Sequence, residues 1–78
     1  MPRFYFHLKN DLIVDDLEGR ELSDIEAALG EARRDVRALA AEQVRQGRLV
    51  LHHHIDIADP TGRVVATVTF GDAMEIEA

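Results

Sequence analysis

The sequence predicts an α+β fold in two layers: a four-stranded antiparallel sheet with one long helix on one face, in the order β-β-α-β-β. Three observations carry this reading. Residues 23–47, SDIEAALGEARRDVRALAAEQVRQG, hold apolar side chains at spacings of three and four between a start signal and a stop signal. Residues 3–9, RFYFHLK, alternate strictly between two faces and are rich in aromatic residues. Residues 49–70 form two alternating runs around Asp59-Pro60-Thr61-Gly62, a composition that suits a tight turn.

Taken in order, Phe4, Phe6 and Leu8 are expected to face the core from the first strand, with Arg3, Tyr5, His7 and Lys9 on the other side. Asn10-Asp11 marks a turn, because both side chains bond readily to nearby backbone. Leu12-Ile13-Val14 follows as a second short strand, antiparallel to the first and ended by Asp15 and Asp16. Residues 16–22, DLEGREL, read as a shaped loop in which Gly19 supplies an unusual backbone angle and Leu17 and Leu22 pin the loop to the core.

Ser23 is the expected helix N-cap, and Ser23-x-x-Glu26 the capping box. The buried stripe of the helix is Ile25, Ala28/Leu29, Ala32, Val36, Leu39/Ala40 and Gln43/Val44. Gly47 suits the left-handed position after the last turn, and Arg45 and Arg48 suit the negative end of the helix dipole. Residues 49–58 read as a third strand, with Leu49, Leu51, His53, Ile55 and Ile57 on one face. Residues 63–70 read as a fourth, and the acidic tail as a short edge segment or a frayed end.

At 78 residues the chain is expected to be one domain, 1–78. It has no cysteine, so disulfides and thiolate metal sites are excluded. No run approaches the roughly 20 apolar residues of a membrane helix, and the start lacks the pattern of a signal peptide, so a cytoplasmic location is expected. The net charge of -6 disfavours a broad phosphate-binding surface, and nucleic acid is not an expected partner. The one net-basic part is the helix, where Arg33, Arg34, Arg37, Arg45 and Arg48 form a candidate patch for an acidic partner, set against an ordinary mixed-charge outer face.

Two further groups of residues carry types that could support chemistry. His52, His54 and Asp56 would line one side of a strand, at a spacing that can serve zinc, and His7 could join them from a neighbouring strand. The plainer alternative is a polar outer row, and no metal is expected. Asp15, Asp16, Glu18 and Glu21 surround Gly19, but they do not follow a calcium-loop pattern. No nucleophile–base pair can be assembled, so neither catalysis nor a cofactor is expected.

A helix from Asp24 to Gln46 would be about 34 Å long, whereas strands of six to eight residues span about 20–27 Å. That mismatch, together with a semi-polar outer sheet face, predicts a homodimer. Helix ends, strand edges and the open face are all possible contact surfaces.

The opening FYFHL, the loop from Asp16 to Leu22, the Ala-rich stretch from Ala27 to Ala41 and the hairpin from Ile55 to Phe70 together resemble domain of unknown function family 6894. The likeness runs over nearly the whole chain. It implies a short bacterial protein and brings no activity, ligand or catalytic residue; His52 and His54 lie outside its pattern. A second likeness covers the first half alone. Two strands, a loop with glycine, and a helix opening on Ser23-x-x-Glu26-Ala27 resemble the partial ribonuclease-H-like domain of HicB-type antitoxins. The expectation is therefore a non-enzymatic interaction or structural module acting as a homodimer; the alternative is an antitoxin-like regulator that binds a toxin and, through it, nucleic acid.

Overall fold

In the computed structural model, which describes residues 1–77, the chain runs β1 (Arg3–Lys9), β2 (Ile13–Val14), β3 (Arg20–Glu21), α1 (Ile25–Arg45), β4 (His54–Ala58) and β5 (Val64–Thr69). The sheet is antiparallel, with the order β2-β1-β4-β5, and β3 joins the same edge of β1 that β2 occupies. It thus has five strands rather than the four expected, because the loop before the helix pairs Arg20 and Glu21 with Phe4 and Arg3.

β1 behaves as its alternation requires. Phe4 and Phe6 are buried, and Leu8 packs beside them. β4 supplies Ile55 and Ile57, β5 supplies Val68, and Phe70 follows at the strand's end. The helix covers this face with Ala28, Ala32, Val36 and Ala40. Three of these four are alanines, so the helix backbone can approach the sheet closely while the aromatic rings fill the space. The last apolar residue of the predicted stripe, Val44, is instead 58% exposed, because the 21-residue helix outruns the strands it rests on.

The helix limits differ by one residue at the start. Asp24 is the N-cap, with extended backbone, and its Oδ1 accepts from Ala27 N–H at 2.8 Å. Ser23 lies outside, so the predicted capping box does not form; a box on Asp24 would need an acid at position 27, which is alanine. The far end is as expected. Gly47 at φ +84° lets its own N–H reach Val44 C=O and Arg48 N–H reach Gln43 C=O, the Schellman arrangement.

Three further expectations need correction. Residues 49–53 are not strand: His53 N–H turns back to Val50 C=O, and β4 begins only at His54. Leu17 does not pin its loop and is 88% exposed; Leu22 does pack on the core. The start of the tail is neither frayed nor an edge strand. Ala73 is buried, Met74 packs on the core, and Arg37 Nε donates to Ala73 C=O at 2.6 Å. The final residue, Ala78, lies outside the described residues.

Candidate interaction surface

The loop between β2 and β3 is organised by one carboxylate. β2 pairs with the end of β1 and β3 with its beginning, which leaves the middle of that edge without a strand. Asp16 fills the gap. Its Oδ2 accepts from Phe6 N–H, and its Oδ1 from Glu18 and Gly19 N–H, each at 3.1 Å. Burial pushes the Asp16 carboxyl upward, but these three N–H donors and the Arg20 guanidinium outweigh it and hold the group below its ordinary range.

Gly19, at φ +70°, completes the turn. A Cβ there would lie 2.9 Å from Arg3 Cγ, 2.9 Å from Phe4 O and 3.0 Å from Tyr5 Cε2. Asp16 N–H donates to His7 Nδ1 at 3.0 Å, so the outer-face histidine is tied into the same loop. Glu21 pairs with Arg3, and Glu18 offers Arg3 its carbonyl. Asp15 lies 3.7 Å from His7 Nδ1, so the carboxylates of Asp15, Asp16 and Glu21 have different partners, and among the described residues the loop's acids do not gather into a metal-binding group.

Of the metal candidates, His54 and Asp56 share the outer face of β4, with Nε2 and Oδ1 at 3.6 Å. His52 does not extend their row, because the chain there is a turn and not a strand. Its ring instead meets the edge of His53, with centroids 5.4 Å apart. His7 does lie opposite Asp56 across β1 and β4, but its Nδ1 is occupied by the Asp16 N–H, and Asp56 accepts the Thr67 hydroxyl at 2.8 Å. Among the described residues, no group of three or more His, Asp or Glu side chains is placed to hold a metal ion.

His53, which the alternation placed inward, is buried against Phe70. Gln43 holds it. Gln43 Oε1 accepts from Val50 N–H at 2.9 Å, so its amide nitrogen faces His53 Nδ1, at 2.8 Å. Nδ1 is the acceptor, and the neutral ring carries its proton on Nε2, toward Asp11 Oδ1 at 3.6 Å. Asp11 in turn takes both arms of the Arg48 guanidinium. That hydrogen-bonded contact holds the Asp11 carboxyl below its ordinary range, against the opposing effect of burial.

Three of the four candidate arginines are engaged within the chain. Arg34 pairs with Glu31 and Arg45 with Glu42, each one turn away on the helix, while Arg37 holds the tail. Among the described residues only Arg33 of these four makes neither an ion pair nor a side-chain hydrogen bond. Arg20, which no sequence motif singles out, lies 4.4 Å from the Phe6 ring centre and bonds Asp35 at 2.7 Å, linking β3 to the helix.

Part of what the fold leaves uncovered is apolar. Leu12, Ile13, Val14 and Leu17 are each more than half exposed and fall within six residues of one another around β2. At the opposite edge, Val64 and Val65 are partly exposed on β5, the last strand of the sheet. The signal for both was present in the sequence as charge-free stretches, LIV and VVATVT, but periodicity alone does not tell an inward row from an uncovered one. Among the described residues, no helix is long and apolar enough to cross a membrane.

Neither a curated protein nor a solved structure matches the chain. A family model does, over residues 3–71, a span that takes in every strand and the whole helix. The chain belongs to that family, described as Domain of unknown function (DUF6894).

Proposed function

We propose that this protein is a non-enzymatic protein-interaction module that acts as a homodimer, without a cofactor and without nucleic acid as a direct partner. The observation that carries the reading is the uncovered apolar surface at the two edges of the sheet, Val64 and Val65 on β5 at one and the side chains around β2 at the other. Contiguous exposed apolar patches mark interaction surfaces, and a chain this short gains stability by burying them against a partner. The polar side chains support the same reading. His7, Asp16, Gln43, His53 and Asp56 all direct their bonds into the fold, and among the described residues no buried side-chain nitrogen or oxygen lacks a partner.

Sedimentation equilibrium of the full chain over roughly 5–200 µM, a range that spans weak to moderate association, tests this directly. The expected result is a concentration-dependent dimer of twice the 8.8 kDa chain mass. A single species at the chain mass throughout would refute the homodimer.

A further inference from the structure

We infer that the homodimer closes along β5, with Val64–Thr69 of two copies pairing antiparallel across a twofold axis so that the two sheets become one. The inference rests on the homodimer reading above and names its surface. β5 ends the order β2-β1-β4-β5, so one of its sides faces no strand. Phe70 N–H donates to His53 C=O at 2.8 Å, which sets the alternation along the strand. Phe70, Val68 and Ala66 turn their backbone groups toward β4, whereas those of Thr67 and Thr69 point away from it.

This edge lacks the devices that keep edge strands apart. Exposed edges are ordinarily short, bulged, or guarded by charge or proline. The residues of β5, VVATVT, include no charge and no proline. A bulge at Val65, where Ala66 pairs with Ile57 but Val64 with Ala58, lies at one end and leaves Ala66–Thr69 regular. The opposite edge of the sheet is built differently, with two-residue strands and the Asp16 carboxylate closing the gap between them.

Charge selects a second copy and its direction. The strand is preceded by Arg63 and followed by Asp72, Glu75 and Glu77. Neither Arg63 nor Asp72 enters an ion pair among the described residues. An antiparallel pair must set outward-facing residues opposite outward-facing residues, so the registers that pair both threonines place Thr67 opposite Thr67 or Thr69 of the second copy. In either register the Arg63 end of one strand lies at the same end of the seam as the acidic segment that begins at Asp72 of the second copy, twice per dimer. A parallel pairing would bring like charges together.

Sedimentation equilibrium of the full chain beside Thr67→Pro, Arg63→Asp, Asp72→Arg and the Arg63→Asp/Asp72→Arg double variant tests the seam, with Ile13→Lys as the comparison at the other edge and far-UV circular dichroism as the fold control. Thr67→Pro removes an N–H that faces away from β4, a position where edge strands accept proline, and is expected to raise the dimer Kd at least about tenfold. Each single charge reversal is expected to weaken the dimer, and the double variant to restore it, with Ile13→Lys leaving it intact. The charge variants alter exposed side chains and decide the matter even if the proline variant fails to fold. A dimer that resists the β5 variants but is lost with Ile13→Lys overturns the seam and keeps the homodimer. A dimer lost in the single reversals without recovery in the double variant overturns the antiparallel arrangement. A wild-type chain that stays monomeric overturns both readings.

Discussion

Replacing Asp16 by alanine tests the loop that completes the β1 edge. The change removes the acceptor of three backbone N–H groups, those of Phe6, Glu18 and Gly19. The bonds from Phe6 and Gly19 are partly buried, and each contributes about 1 kcal/mol net; water replaces the exposed bond from Glu18 at little loss. The expected destabilisation is therefore about 2 kcal/mol, a large share of the stability available to a domain this small. In urea, with a slope of about 1 kcal/mol/M for so short a chain, the midpoint should fall by about 2 M. Ellipticity should be followed at one fixed protein concentration, since association contributes to apparent stability. Asp16→Asn should also destabilise, because an amide has one acceptor oxygen and must turn its nitrogen toward either the Phe6 N–H or those of Glu18 and Gly19. The pH dependence has a definite sign. The folded carboxyl lies below its ordinary value of 3.8, so its contribution is present above the unfolded value and is lost as pH falls through the lower folded one. The gap between wild type and variant should accordingly close in acid. A midpoint shift under about 0.5 M at neutral pH would refute the assignment of Asp16 as the closing acceptor.

Two glycines should respond in opposite directions to alanine. Gly19→Ala places a Cβ 2.9 Å from the Phe4 carbonyl oxygen at φ +70°, and should cost 2 kcal/mol or more, about 1–2 of it from the left-handed backbone alone. Gly30→Ala meets nothing within 4 Å on the helix and should add about 0.5–1 kcal/mol in the same urea titration. Gln43→Ala removes the bonds to Val50 N–H and to His53. It should lower the thermal midpoint by roughly 8–16 °C if the two bonds together contribute about 2 kcal/mol. A Gln43→Ala chain that melts with wild type would mean that the turn after the helix holds without its side-chain anchor.

The parts of the fold set by local pattern were legible in the sequence. β1, the β4–β5 hairpin and the helix follow from alternation, from Asp59-Pro60-Thr61-Gly62 and from the 3.6-residue stripe, and Asp59 does accept from Thr61 and Arg63 N–H within that turn. The elements that depart from local pattern depend on contacts across the chain. Residues 49–53 alternate like a strand, but the Gln43 side chain captures Val50 and His53 and turns the backbone instead. Ser23 and Asp24 are both good caps; Leu22 N–H bonds Pro2 C=O in line with β3, and the helix starts after Asp24. The tail has little pattern of its own and is ordered by Arg37. At the candidate surface, His52, His54 and Asp56 were visible as residue types, whereas the three-way use of Asp16 requires the gap between β2 and β3, which no spacing reveals. Leu17 shows the converse limit, because an apolar residue in a loop reads the same whether it is pinned or left uncovered.

Amide hydrogen exchange at Thr67 and Thr69, measured residue by residue at low and high protein concentration, tests the central claim that a second copy completes this sheet. The two N–H groups face away from β4, so in a separate chain they exchange with water freely. The account predicts that both gain protection as concentration rises, while the already paired Val68 changes far less. Equal and fast exchange at Thr67 and Thr69 at every concentration would contradict it.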